Sequence, residues 1–497
     1  MELIISLHKK DLPLHRQIYQ EIRDLILSGN LKSGQRLPST RILAKTLSVS
    51  RATVTQSYEQ LFSEGYLETR QGAGTYVCSQ LPDDLLKTVN KERSDRKINA
   101  NKLPSLSNYA LNLQKNKRLN SLINPDRSRS ENIKISFEFG SPALDRFPWK
   151  QWQKLIFQSS KQENLAIWDY NRNPFGYQPL RKAIAEYLIR SRAVNCNSDR
   201  IIIVNGSQQA LDLITRIFVD RGDNIAMEDP GYLGARDAFL AGGANILPLR
   251  VDEEGMSLEL LKNTNKITPK LIHVTPSHQF PTGVVLSLPR RLELLELAKN
   301  IGTIIIEDDY DSEFRYSSRP IPALQGLDRN NSVIYVGTFS KIMFPALRLG
   351  YLVVPENLVD IFAKVKWLSD RRSSILEQLA LTDFIDRGYL ESHLRKMRTL
   401  YDRRRQVLIG SIERYLGNKV TILGANAGIH LMVRFTTSLS DRDIIERAAK
   451  LGVKLVSTAK YYWQKSRSGE FVLGYANLNE NAIEAGIKKL AIVLTEK

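Results

Sequence analysis

Residues 332–351 read SVIYVGTFSKIMFPALRLGY. The run begins as an apolar, β-branched strand and turns at Gly337. It then offers two hydroxyls, Thr338 and Ser340, beside Lys341. Seven residues further stands Arg348, whose planar guanidinium suits bidentate contact with a phosphate. Open α/β sheets place their ligands at the carboxyl ends of their strands, and this strand ends in ligand-type side chains.

Four more runs have the same form: RIIIVNGS at 200–207, NIAMEDP at 224–230, KLIHVTP at 270–276 and GTIIIEDDY at 302–310. Helical stretches alternate with them, which predicts an α/β domain with a mostly parallel sheet from about 131 to 497. The strand at 304–307 runs into Asp308, Asp309 and Tyr310. Gly206, Ser207 and Gln208 open a helix, whose N-terminus suits a phosphate. A pyridoxal 5'-phosphate (PLP) site needs a lysine, a carboxylate for the pyridine nitrogen, a partner for the phenolic oxygen and a phosphate nest. Each has a candidate at or after the end of one of these strands.

The chain of 497 residues is 42% hydrophobic and 25% charged, the composition of a globular protein with a large core. It shows no apolar run of 18 residues and no signal peptide, which predicts a cytoplasmic protein without membrane contact. Cys78 and Cys196 fall in different predicted domains, so no disulfide framework is expected. No metal site is expected. The net charge is +18, and residues 1–130 hold 21 Lys/Arg against 12 Asp/Glu. A basic front end suits an anionic polymer.

Within that front end, residues 11–78 read as a compact domain. Leu14, Ile18, Ile22, Leu25 and Ile26 recur at helical spacing up to Gly29. TRILAKTL at 40–47 is a second helix, SVS a turn, and Ser50 the N-cap of a third helix that ends at Gly65. YLETR and TYV read as strands around a glycine-rich turn. Two helices, a tight turn and a hairpin make a winged helix-turn-helix, whose second helix enters the major groove of double-stranded DNA. The candidate contacts are Ser50, Arg51 and Thr53 on that helix, Ser39 and Arg41 at the start of the helix before it, and Gly72 at the wing tip. Residues 79–130, rich in Lys, Arg, Asn and Ser, read as a flexible basic linker with a short helix around 104–114. A flexible chain of that length spans roughly 35–42 Å.

The run LPSTRILAKTLSVSRATVTQSYEQLFSEGYLETRQGAGTYV resembles the GntR family of bacterial regulators nearly position by position. NRNPFGYQPLR, NGSQQALDL, EDPGYLG, VTPSHQFPTG, IIEDDYDSEF and GTFSKIMFPALRLGY resemble the fold-type I aminotransferases. Both together resemble the MocR (GabR-like) subgroup, which fuses the two. The resemblance implies a homodimeric, ligand-responsive transcriptional regulator that binds an operator, with a swapped arrangement typical of the subgroup. It implies PLP on Lys341 as a Schiff base, Asp308 at the pyridine nitrogen, Tyr310 at the phenolic oxygen and Tyr232 stacked on the ring. Ser207, Gln208, Thr338, Ser340 and Arg348 would form the phosphate cup. The implied effector is PLP or a small amino compound.

Two departures stand against transaminase turnover. Many aminotransferases carry Asn before the Pro-Thr-Gly turn, where this chain has Phe280. The stretch FVLGYANL at 471–478 lacks the arginine that commonly holds a substrate carboxylate, leaving Arg434 and Lys460 as nearby cations. The alternative to a regulator is a PLP-dependent aminotransferase with an accessory DNA-binding domain, separated from it by turnover of 2-oxo acids. A third reading, a cofactor-free dimerisation scaffold, would show no visible absorption band.

Overall fold

The computed structural model describes residues 5, 12–70, 73–81, 104–116, 118–119, 133–169, 173–263, 268–316 and 321–495. The chain divides into two compact units, Met1–Ser105 and Leu106–Lys497.

In the first unit, α1 (Leu14–Leu27), α2 (Thr40–Thr46) and α3 (Arg51–Ser63) precede the strands β1 (Leu67–Arg70) and β2 (Gly74–Val77). Ile18, Ile22 and Ile26 lie one turn apart and are buried, whereas Leu14 is exposed. They pack with Leu43, Val54, Tyr58, Leu61 and Val77 in one core. Ser39 and Ser50 start α2 and α3 by accepting hydrogen bonds from Ile42 N and Thr53 N at 3.3 and 3.1 Å. Each such cap is worth about 1 kcal/mol. The helix α3 stops where Gly65 takes φ of +79°, a left-handed turn open to glycine. The strands β1 and β2 pair antiparallel, Leu67 opposite Val77 and Arg70 opposite Gly74. Gly72 lies outside the described residues.

The second unit begins with α4 (Asn108–Lys115), capped by Ser107. Its core is an eight-stranded sheet: β3 (Ile201–Val204), β4 (Asn224–Asp229), β5 (Asn245–Asp252), β6 (Gly255–Met256), β7 (Leu271–Val274), β8 (Ile304–Asp309), β9 (Val333–Thr338) and β10 (Gly350–Val353). In space the order is β3-β10-β9-β8-β7-β4-β5-β6. The strands β9, β8, β7, β4 and β5 run parallel, while β10 runs antiparallel to both β9 and β3. Every residue of β3, β7 and β9 is buried, as expected for strands covered on both faces. Two helices at the sheet's carboxyl edge matter for the site: α5 (Ser207–Phe218) and α6 (Leu233–Gly242).

A second, antiparallel sheet follows the long helix Tyr389–Leu416: β11 (Val420–Leu423), β12 (His430–Phe435), β13 (Val456–Ser457) and β14 (Glu470–Gly474), in the order β11-β12-β14-β13. Among the described residues, no helix is long and apolar enough to cross a membrane. Cys78 and Cys196 are both free thiols.

The helix α4 lies inside the stretch read from composition as a flexible linker, yet it packs on α6. Asn112 Nδ2 donates to Ala241 O at 3.3 Å and Asn116 Nδ2 to Asp237 Oδ1 at 2.9 Å. Arg118 makes an ion pair with the same, buried Asp237. Specific polar pairing has overridden a composition that by itself favours disorder.

Candidate functional site

The carboxyl ends of β3, β7, β8 and β9 surround a cavity of about 170 Å³. Tyr232, Ser207, Gln208, Asp308, Tyr310, Thr338, Ser340, Lys341 and Arg348 all line it, together with Phe139, Thr275, Phe280 and Pro345. All nine cofactor candidates read from the sequence thus face one space.

Strand alternation decides which acid faces it. Successive side chains of β8 point to opposite faces. Asp308 lines the cavity. Asp309 accepts instead from Arg192 Nε at 3.0 Å and Tyr335 OH at 2.6 Å, a buried pairing in the core. Behind Asp308, His273 Nε2 on β7 lies 3.5 Å from the carboxylate. Next to it, the buried Glu228 accepts from Thr275 N and Thr275 Oγ1 at 3.1 and 2.5 Å. Burial, partly offset by these hydrogen bonds, pushes the Glu228 carboxyl up to about 7.

Lys341 Nζ donates to Gly140 O at 2.8 Å. Burial lowers its basicity, opposed by the carboxylates of Asp311 and Asp308 and aided by Arg348. An amine depressed in this way is a better nucleophile near neutral pH. Gly140 has φ of +103°, and a Cβ there would come within 2.9 Å of Nζ.

One corner of the cavity is a cup of donors. Gly206, at φ of +83°, lets the chain turn from β3 into α5, whose first residue is Ser207. A Cβ on Gly206 would meet the Arg348 guanidinium at 2.9 Å. Arg348 Nη2 donates to Asn205 O at 3.0 Å. Ser340 N donates to Thr338 Oγ1 at 3.2 Å, folding the two hydroxyl residues over the same corner. A helix N-terminus, hydroxyls and a guanidinium converging in this way favour a phosphate dianion.

Tyr232 and Phe280 meet edge to face, ring centroids 6.2 Å apart, and make an aromatic wall with Phe139. The phenol of Tyr310 donates to His278 O at 2.9 Å and lies 3.1 Å from His278 Nδ1. A larger cavity of about 810 Å³ shares Phe139, Gln208 and Tyr232 with the first and is walled by Tyr109, Leu113, Arg118 and Leu119. Lys460 lines this larger cavity. Arg434 does not line either; it pairs with the buried Glu470 at 2.7 Å.

Sequence reading missed Gly140 and Phe139, whose signal was the Gly-Ser-Pro turn after FEF at 137–139, and Thr275. It missed the buried group His278, Asp311 and His430, because residues from two loops and the start of a distant strand have no common spacing. In the first unit, Ser39, Arg41, Ser50 and Arg51 are exposed and Thr53 is half-buried. Arg51 Nε donates to Thr40 Oγ1 at 3.4 Å, which sets the first turns of α2 and α3 side by side. The hydroxyls of Ser50 and Thr53 are 2.8 Å apart and bonded to each other.

Residues 157–490 match the family described as aminotransferase class I and II, and residues 14–77 match bacterial regulatory proteins of the gntR family. The chain is 40% identical over 480 residues to the probable rhizopine catabolism regulatory protein MocR of Rhizobium meliloti, across 97% of this chain and 93% of that protein. It is 34% identical to the uncharacterized HTH-type transcriptional regulator YdeL of Bacillus subtilis, across 97% and 96%. Among solved structures it is similar to LysN, the α-aminoadipate aminotransferase of Thermus thermophilus complexed with N-(5'-phosphopyridoxyl)-L-leucine. The TM-score is 0.70 at 26% identity, covering 78% of this chain and 97% of that one.

Proposed function

Since the chain belongs to the MocR-type regulators, a GntR winged helix joined to an aminotransferase class I and II domain, we propose that it regulates transcription in response to a ligand sensed at a PLP site on Lys341. The observation that carries the PLP reading is the convergence of the nine residues on one cavity with Lys341 at its edge.

The donor set fits the cofactor. When bound, PLP supplies an aldehyde carbon that accepts an amine and a ring that withdraws electrons. In this reading Lys341 Nζ would hold the cofactor. Asp308, buried and backed by His273, keeps the ring nitrogen protonated. Tyr310 would meet the phenolic oxygen and Tyr232 would cover the ring. Ser207, Gln208, Thr338, Ser340 and Arg348 hold the phosphate, the glycine at 206 leaving room for it beside the guanidinium.

DNA binding follows from the GntR domain, with Ser39, Arg41, Ser50, Arg51, Thr53 and Gly72 as the proposed contacts. A homodimer, in the cytoplasm, completes the reading. The effector is PLP or a small amino compound, which acts by favouring one arrangement of the two units over another. Against transaminase turnover stand the stretch at 471–478, which holds no arginine, and Arg434, which is paired with the buried Glu470.

The test is a visible absorption spectrum of the purified protein with and without PLP, then with candidate amines. A new band that an amine shifts supports the reading. No band in excess PLP overturns it and leaves the large unit as a scaffold.

A further inference from the structure

Phe280 has no polar atom, so nothing at its position can help hold the phenolic oxygen of a bound cofactor. The structure places a different polar group behind that oxygen's proposed partner, Tyr310. His278, in the loop after β7, directs Nδ1 at Asp311, 3.0 and 3.2 Å from the two carboxylate oxygens. The same Nδ1 lies 3.1 Å from Tyr310 Oη. A carboxylate can only accept, so Nδ1 carries the proton. That N–H then reaches both Asp311 and the phenol oxygen, and Tyr310 keeps its own O–H to donate. In the absence of a better acceptor it donates to His278 O at 2.9 Å.

The arrangement is built into the fold. Asp311 is itself fixed from a third element by Ile429 N, which donates to Oδ2 at 3.3 Å. Gly428 has φ of +74°, and a Cβ there would sit 2.0 Å from His278 Cε1, so only glycine leaves room for the ring. His278 and Asp311 are both fully buried. Placing a buried carboxylate and imidazole without function is costly in free energy unless they are well paired.

Resting on the PLP reading above, we infer that His278, locked by Asp311, is the positioning residue that turns the Tyr310 phenol toward the cofactor's phenolic oxygen and makes up for the missing amide at Phe280. The pair acts through Tyr310 and does not itself touch the cofactor. The carboxylates of Asp311 and Asp308 act on the phenol most strongly, those of Glu228 and Asp309 act on it from other faces, and the ring of His430 stacks at 6.4 Å.

The experiment is a pH titration of the visible band in full-length protein loaded with PLP, for wild type, His278→Ala, His278→Asn and Asp311→Asn. A hydrogen bond donated to the phenolic oxygen favours its anionic form, so weakening it raises the pH midpoint of the band. His278→Ala is expected to raise the midpoint by about one pH unit, and Asp311→Asn to move it in the same direction. His278→Asn, whose amide can replace the Nδ1–H, is expected to restore at least half of the shift. A purely structural role would leave the midpoint in place, and coincident midpoints for wild type and His278→Ala overturn the inference. Should His278→Ala take up no PLP, His278→Asn decides: a restored band with a near-wild-type midpoint supports the inference, and a blank spectrum from a folded protein overturns it. A wild type with no band refutes the PLP reading itself, which is a separate outcome.

Discussion

Lys341 Nζ and Gly140 O are 2.8 Å apart, a hydrogen bond across 201 residues of chain that closes the cavity on the amine. Replacing Lys341 with Met removes the amine and keeps the volume. The visible band is then absent at any PLP concentration, while far-ultraviolet circular dichroism is unchanged. The stability effect has a definite sign. The Lys341 ammonium is disfavoured by burial, so its folded value lies below its unfolded one. Between those values the unfolded chain binds more protons, and stability rises with pH. Lys341→Met therefore melts higher than the cofactor-free wild type at pH 7, and the difference narrows toward pH 10.

Gly206 tests the phosphate cup. Gly206→Ala puts a methyl 2.9 Å from Arg348 Nη2 and forces a side chain into φ of +83°. The backbone effect alone costs about 1 kcal/mol. The expected result is a folded protein, a few degrees less stable, whose PLP titration is weakened at least tenfold. Equal affinity would show that phosphate does not sit at this corner.

Glu228 makes the fold pH-sensitive. Its folded carboxyl is raised to about 7 from an ordinary 4.5, with burial the main cause. Between these values the folded chain holds more protons than the unfolded one, so stability falls as pH rises. Glu228→Gln removes that proton exchange. Thermal melts at pH 5 and pH 8 are expected to show wild type losing more than the variant, by at most about 3 kcal/mol.

Arg51 and Ser50 separate recognition from folding. Arg51→Ala deletes an exposed cation on the first turn of α3 and is expected to weaken specific operator binding at fixed salt, leaving PLP uptake unchanged. Ser50→Ala removes the N-cap and costs about 1 kcal/mol of stability as well. Filter binding or fluorescence anisotropy with operator and random duplexes checks both, and an unchanged operator affinity in Arg51→Ala would falsify its groove-reading role.

Much of this was legible because local pattern and tertiary structure agree. The apolar runs at 201–204 and 271–274, the second broken only by His273, predicted buried strands, and that is where β3 and β7 lie. The period of Ile18, Ile22 and Ile26 predicted the buried face of α1. Residues at or just past a strand end, such as Asp308 and Lys341, could be placed at the sheet's carboxyl edge from the strand alone. What escaped came from pairings distant in sequence. Asp311 meets Ile429 across 118 residues, and Arg118 meets Asp237 across 119. In 79–130 composition offered a short helix around 104–114 but no partner for it, because two side chains on one buried carboxylate leave no periodic trace.

That buried carboxylate, Asp237, lies on α6, five residues after Tyr232, which stands at the start of that helix. One turn of helix and its cap therefore separate them, a rise of roughly 7 Å. Tyr232 is a wall of the cavity, and Asp237 is the peg to which Asn116 and Arg118 are tied. The segment that carries Asn112, Asn116 and Arg118 is therefore fastened to the same helix whose start supplies the aromatic face of the pocket.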